Sequence, residues 1–120
     1  MTGTKLPIRA FLPQIADALK TRRKLILSSA PGSGKTSLVP PELLKLTDRT
    51  VLLVEPHRIA ARAAAARIAG LRGESVGNTV GYRVRGDRAE SPGTRLLAVT
   101  PGVMLNLLQS DPLLEECGAV

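Results

Sequence analysis

The sequence predicts an α/β fold: a mostly parallel sheet with helices on both faces. Short apolar runs, each closed by Gly, Pro or charged residues, alternate along the chain with segments whose apolar residues fall at helical spacing. Such alternation implies right-handed crossovers between parallel strands. The length, 120 residues, allows one small domain near the lower end for a doubly wound unit.

Taken in order, residues 12–23 place Leu12, Ile15, Ala16 and Leu19 on one helical face. The run KLILSS at 24–29 then reads as a strand. Residues 35–46 suit a helix that Pro40 and Pro41 must kink or shorten. TVLLVE at 50–55 is a continuous apolar run closed by Pro56, the pattern of a strand buried on both faces. An Ala-rich helix over 58–69 follows, with Gly70 suited to the position after its end. Strand-like segments at 79–84 and 94–100 and a helix over 102–109 complete the pattern. No internal repeat, low-complexity linker or domain boundary interrupts it.

Composition narrows the function classes. Seventeen Lys and Arg against ten Asp and Glu give a net charge of +7, and twelve of the seventeen are Arg, whose planar fork suits phosphate. A polyanionic partner fits this balance, as does the solvated surface of an Arg-rich protein. Phe11 and Tyr82 are the only aromatic residues, which argues against stacking platforms for splayed bases. Cys117 is the single cysteine, so no internal disulfide forms and a reducing compartment is expected. Pro7, Arg9 and Pro13 interrupt any apolar leader, and no run approaches a membrane span. The expectation is a cytoplasmic protein without a membrane role.

The stretch SAPGSGKT at 29–36 matches G-x-x-x-x-G-K-[ST] except at its first position, where Ser29 replaces glycine. Gly32 and Gly34 let backbone N–H groups face a phosphate without an intervening Cβ, and the helix that follows adds its positive N-terminal end. Residues Ser29, Ala30, Pro31, Gly32, Ser33, Gly34, Lys35, Thr36 and Ser37 are therefore the candidate nucleotide-binding set. Lys35 would reach the β- and γ-phosphates and the Thr36 hydroxyl would sit on Mg2+, making these two the candidate catalytic residues and Thr36 the metal ligand.

Four stretches together resemble a known family. They are this loop; Glu55-Pro56-His57-Arg58-Ile59-Ala60-Ala61-Arg62; TVGYRVR at 79–85; and TRLLAVTPGVML at 94–105. In their order and spacing they are similar to the superfamily 2 helicases of the DEAH group, most closely the bacterial HrpB-type ATP-dependent helicases. The opening Leu6-Pro7-Ile8 also looks like that family's entry segment. The resemblance implies a RecA-like, P-loop NTPase fold, with ATP and Mg2+ as cofactors. It also implies that a single strand of RNA or DNA is held by its backbone at Pro56, His57, Arg58, Thr100, Pro101 and Gly102.

Elementary chemistry is compatible with that role. A helix beginning at Arg58, at the C-terminal end of a parallel strand, points cations toward the crevice where α/β sheets bind ligands. Thr100, Pro101 and Gly102 open the next helix, whose N–H groups suit phosphate. Arg58, Arg62 and Arg67 equally suit the wet face of an amphipathic helix, and Arg83 and Arg85 read as a solvated strand face. His57 departs from the family's usual Arg, and an unperturbed His is mostly neutral at pH 7.

A second departure is the acidic box D-E-x-H, which the family uses to hold magnesium and activate water, and which the sequence lacks. The resemblance thus implies that residues 1–120 are the N-terminal portion of a RecA-like ATP-binding domain, without the box or a second RecA-like domain. Gly118-Ala119-Val120 resembles the opening of the strand that would carry the box. An open sheet edge there would favour self-association. Two alternatives remain open: a small phosphate-loop kinase using Glu55, and a binding module that turns nothing over.

Overall fold

The computed structural model describes residues 7–28 and 34–120. A 3-10 turn, Pro7–Phe11, leads into α1, Leu12–Arg22, followed by α2, Lys35–Leu43, and β1, Thr50–Val54. Next come α3, Arg58–Leu71, β2, Val80–Val84, β3, Asp87–Ala89, β4, Leu96–Val99, α4, Pro101–Ser110, and β5, Cys117–Ala119. The five strands form one sheet in the order β3-β2-β4-β1-β5. All neighbours are parallel except the β2–β3 hairpin.

Side chains alternate across a strand, and here both faces are covered. Val51 of β1 and Leu96 and Ala98 of β4 pack with Val80 and Val84 of β2 against Ala61, Ala65, Ile68 and Ala69 of α3. On the opposite face Leu52, Leu97 and Val99 meet Val103 of α4. The small Ala side chains let α3 lie close to the sheet. A third cluster, Ile8, Leu12, Ile15 and Leu38, joins α1 to α2.

Four local readings change or gain detail. The KLILSS run forms no strand over its described residues; Ile26 is 97% exposed and Leu25 projects into solvent, because no strand lies beside them to pair. The 35–46 helix stops at Leu43, with Pro40 and Pro41 inside it, and the chain then turns through Leu44–Pro41 and Lys45–Glu42 bonds of 3.1 and 3.2 Å. Gly70 does not end α3; the helix continues through Leu71, and Gly73, at φ +74°, supplies the left-handed residue. Its N–H donates to the Gly70 carbonyl (3.0 Å) and that of Glu74 to Ala69 (3.0 Å), a paired closure of the helix end.

The fourth is the β2–β3 hairpin, turned at Arg85-Gly86 with Gly86 at φ +81°. It makes Arg83 a paired residue rather than a solvated one: its Nε and Nη2 donate to both Glu90 oxygens at 2.6 and 2.7 Å. Arg85 stays exposed. This bidentate bond raises the Arg83 pKa and holds the Glu90 carboxyl below its ordinary range. At the opposite end of the sheet Arg95 donates to the Thr47 carbonyl and, at 3.1 Å, to that of Arg49, tying down the loop before β1. Among the described residues, no helix is long and apolar enough to cross a membrane.

Candidate nucleotide and nucleic-acid site

The phosphate-loop residues Ser29, Ala30, Pro31, Gly32 and Ser33 lie outside the described residues. Gly34 caps α2 at φ +102°, a left-handed conformation that a side chain would strain, which accounts for a glycine here. Lys35 and Thr36 follow on the first turn, Lys35 half-buried and Thr36 exposed. No acidic residue occupies that turn, so nothing on it neutralises the helix's positive end. A phosphate would fit these residues: Lys35 would supply charge and Thr36 a hydroxyl for a hydrated Mg2+. Among the described residues no group of three His, Cys, Asp or Glu could hold a metal by itself.

Lys35 and Thr36 border an apolar groove of about 360 Å³ that Val39, Pro40 and Val54 also line. Glu55 is not part of that lining among the described residues; its N–H donates instead to the Val99 carbonyl at 2.8 Å, across the ends of β1 and β4. Ser37 is turned away from the solvent side. It is 8% exposed, and its hydroxyl accepts a 2.5 Å hydrogen bond from Arg67 Nε on α3.

The second constellation is assembled by the sheet. Because β1 and β4 are parallel neighbours in register, Val54 opposite Val99, the helices that follow them start side by side. His57 caps α3 with extended backbone, φ −134° and ψ 151°, and Thr100 caps α4 at φ −95° and ψ 165°. Neither makes a side-chain capping bond, and neither first turn carries an acid. Two positive helix ends thus converge on one cleft of about 630 Å³. Pro56, His57, Arg58, Thr100, Pro101 and Gly102, chosen from the sequence, all line it.

Ile59 and Arg62 line it too. Arg62 sits 3.5 Å from Asp87 of the hairpin and over the Tyr82 ring, 5.8 Å from its centroid. Tyr82 also donates to Asp87 (3.0 Å), and that bond to a carboxylate raises the phenol's pKa. Arg62 therefore joins α3 to the hairpin while bordering the cleft. A wider groove of about 1090 Å³ continues from Thr100 and Gly102 along α4 and the hairpin, past Arg83, Arg85 and Arg88. Arg88 escaped sequence reasoning because its strand did; the signal available was the Arg85-Gly86 turn.

No protein-family profile matches the chain. Over 119 residues it is 40% identical to the ATP-dependent RNA helicase HrpB of Escherichia coli (strain K12), covering 98% of this chain and 15% of that protein. It is 35% identical to the ATP-dependent RNA helicase HrpA of Borreliella burgdorferi, over 97% of this chain and 14% of that one. The crystal structure of the Escherichia coli DEAH/RHA helicase HrpB superposes with a TM-score of 0.88 at 40% identity, across 95% of this chain and 15% of the other. The chain spans about 15% of the length of the HrpB relative it matches. The fold is RecA-like α/β, and the chain is homologous over nearly its whole length to a segment of the HrpB-type DEAH/DExH helicases.

Proposed function

We propose that residues 1–120 form the part of a RecA-like ATP-binding domain that holds the triphosphate of ATP and the backbone of single-stranded RNA or DNA, within an ATP-dependent helicase. The observation that carries this reading is the cleft shared by the N-termini of α3 and α4, lined by Pro56, His57, Arg58, Thr100, Pro101 and Gly102. Convergent helix ends, the guanidinium groups of Arg58 and Arg62 and exposed backbone make a surface for successive phosphates. Lys35 would hold the nucleotide's β- and γ-phosphates and Thr36 its Mg2+. The magnesium would neutralise charge on the phosphates; Gly34 gives the turn its left-handed entry. Hydrolysis also needs carboxylates of the D-E-x-H kind, a motif that residues 1–120 do not contain.

The test is the salt dependence of binding to a fluorescent single-stranded oligonucleotide. Replacing Arg58, exposed at the start of α3, by Ala should reduce the slope of log affinity against log salt by about 0.7, the share of one single-strand phosphate contact. An unchanged slope would remove Arg58 from the strand path.

A further inference from the structure

The turn that presents Lys35 and Thr36 keeps the bond from the Leu38 N–H to the Gly34 carbonyl (2.9 Å) but lacks two of the donors that would follow. Pro40 and Pro41 lie inside α2 and have no N–H to donate. In a regular helix those donors would reach back four residues, to the carbonyls of Thr36 and Ser37, the residues of the phosphate-binding turn. Further bracing comes from outside. Arg67, late on α3, donates from Nε to the buried Ser37 hydroxyl at 2.5 Å. A charged donor to a buried acceptor is among the stronger hydrogen bonds a protein makes. Arg67 lies nine residues beyond Arg58 on the same helix, about 13 Å along its axis. The helix whose first turn lines the strand cleft therefore also fixes the helix that presents the phosphate-binding lysine.

We propose that Arg67 is a positioning residue for the nucleotide site: by holding Ser37 against α3, it sets where Lys35 and Thr36 stand, so nucleotide affinity depends on this contact between two helices. The assignment rests on the nucleotide reading given above. Arg67 itself touches Ser37 and need not touch nucleotide. It differs from an ordinary packing contact in what its loss changes. A tie that only adds stability would lower the melting temperature and leave the affinity of the folded protein alone.

The experiment measures the affinity of a fluorescent adenosine nucleotide with Mg2+ for this chain, well below the melting temperature of every variant. The variants are Arg67→Ala, Ser37→Ala, the pair together, Ser37→Thr and Lys35→Ala. Arg67→Ala and Ser37→Ala should each weaken binding about tenfold, the scale of one charge-assisted bond, with the double variant no weaker than either single one. Ser37→Thr, which keeps the hydroxyl, should retain affinity. Additive losses would mean that Arg67 acts by its charge alone, and losses confined to the melting temperature would make the bond a packing contact; either overturns the assignment. Should Arg67→Ala fail to fold, the milder Ser37→Ala and Ser37→Thr comparison still decides. Binding that Lys35→Ala weakens but Arg67→Ala leaves unchanged overturns the positioning role alone. Absence of any Lys35-dependent binding overturns the nucleotide reading and the Arg67 assignment with it.

Discussion

Lys35→Ala is expected to weaken binding of Mg2+-bound ATP about 100-fold, or ~2.7 kcal/mol, the upper range for a charged hydrogen bond removed from a phosphate. The expectation follows from placement. Lys35 is half-buried on the first turn of α2, behind a glycine held at φ +102°, and that turn itself carries no acidic residue. Removing the ammonium leaves the helix N–H groups in place, so residual binding should survive at high nucleotide concentration. The side chain contributes nothing to the three apolar clusters. Circular dichroism of the variant should therefore match that of the parent chain. Calorimetric titration measures the effect; affinity within twofold of the parent would place the phosphates elsewhere.

Gly81→Ala should have the largest effect on stability, about 3 kcal/mol, seen as a melting temperature lower by about 10 °C or more. Gly81 lies buried in β2, with the chain leaving β3 folded across it. A Cβ there would stand 2.3 Å from the Ala89 carbonyl oxygen and 3.3 Å from both Glu90 Cα and Thr94 Cγ2. Backbone cannot give way as a side-chain tip can. Relief would require moving residues 89 and 90, which would also break the Arg83–Glu90 bidentate pair. Gly102→Ala is the matched control, because a Cβ there meets nothing within 4 Å. Equal melting temperatures for the two variants would contradict the crossing.

These positions show what the sequence makes legible and what it hides. β1 and β4 can be read because a run of apolar residues buried on both faces has few other fates, and the helices after them begin at Arg58 and Pro101, capped by His57 and Thr100. The strand cleft is the meeting of those two readings, and the parallel register of β1 with β4 brings its halves together. KLILSS looks as strand-like as TVLLVE, but pairing decides, and pairing is not local: TVLLV has β4 on one side and β5 on the other. Gly70 reads as the helix stop in the sequence, but Gly73 follows three residues later. The chain uses the later one because Ile68 and Ala69 still face the sheet and Leu71 packs beside α1 and α2.

The hairpin was hidden for another reason. Asp87–Ala89 is three residues long, polar and at the sheet edge, so it carries no hydrophobic period. Without it, neither the pairing of Arg83 with Glu90 nor the link from Arg62 to Asp87 could be inferred. The same holds for Arg67 and Ser37, thirty residues apart. A wet helix face and a part-buried tie to a neighbouring helix have the same spacing in sequence; packing between α2 and α3 distinguishes them.

The most direct test of the strand-cleft assignment is photocrosslinking of a single-stranded RNA containing 4-thiouridine, with the attached peptides identified by mass spectrometry. The proposed function predicts crosslinks within residues 56–62 and 100–102, where the starts of α3 and α4 line the cleft. Crosslinks confined to the opposite end of the sheet, around Asp48, Arg49 and Arg95, would contradict it.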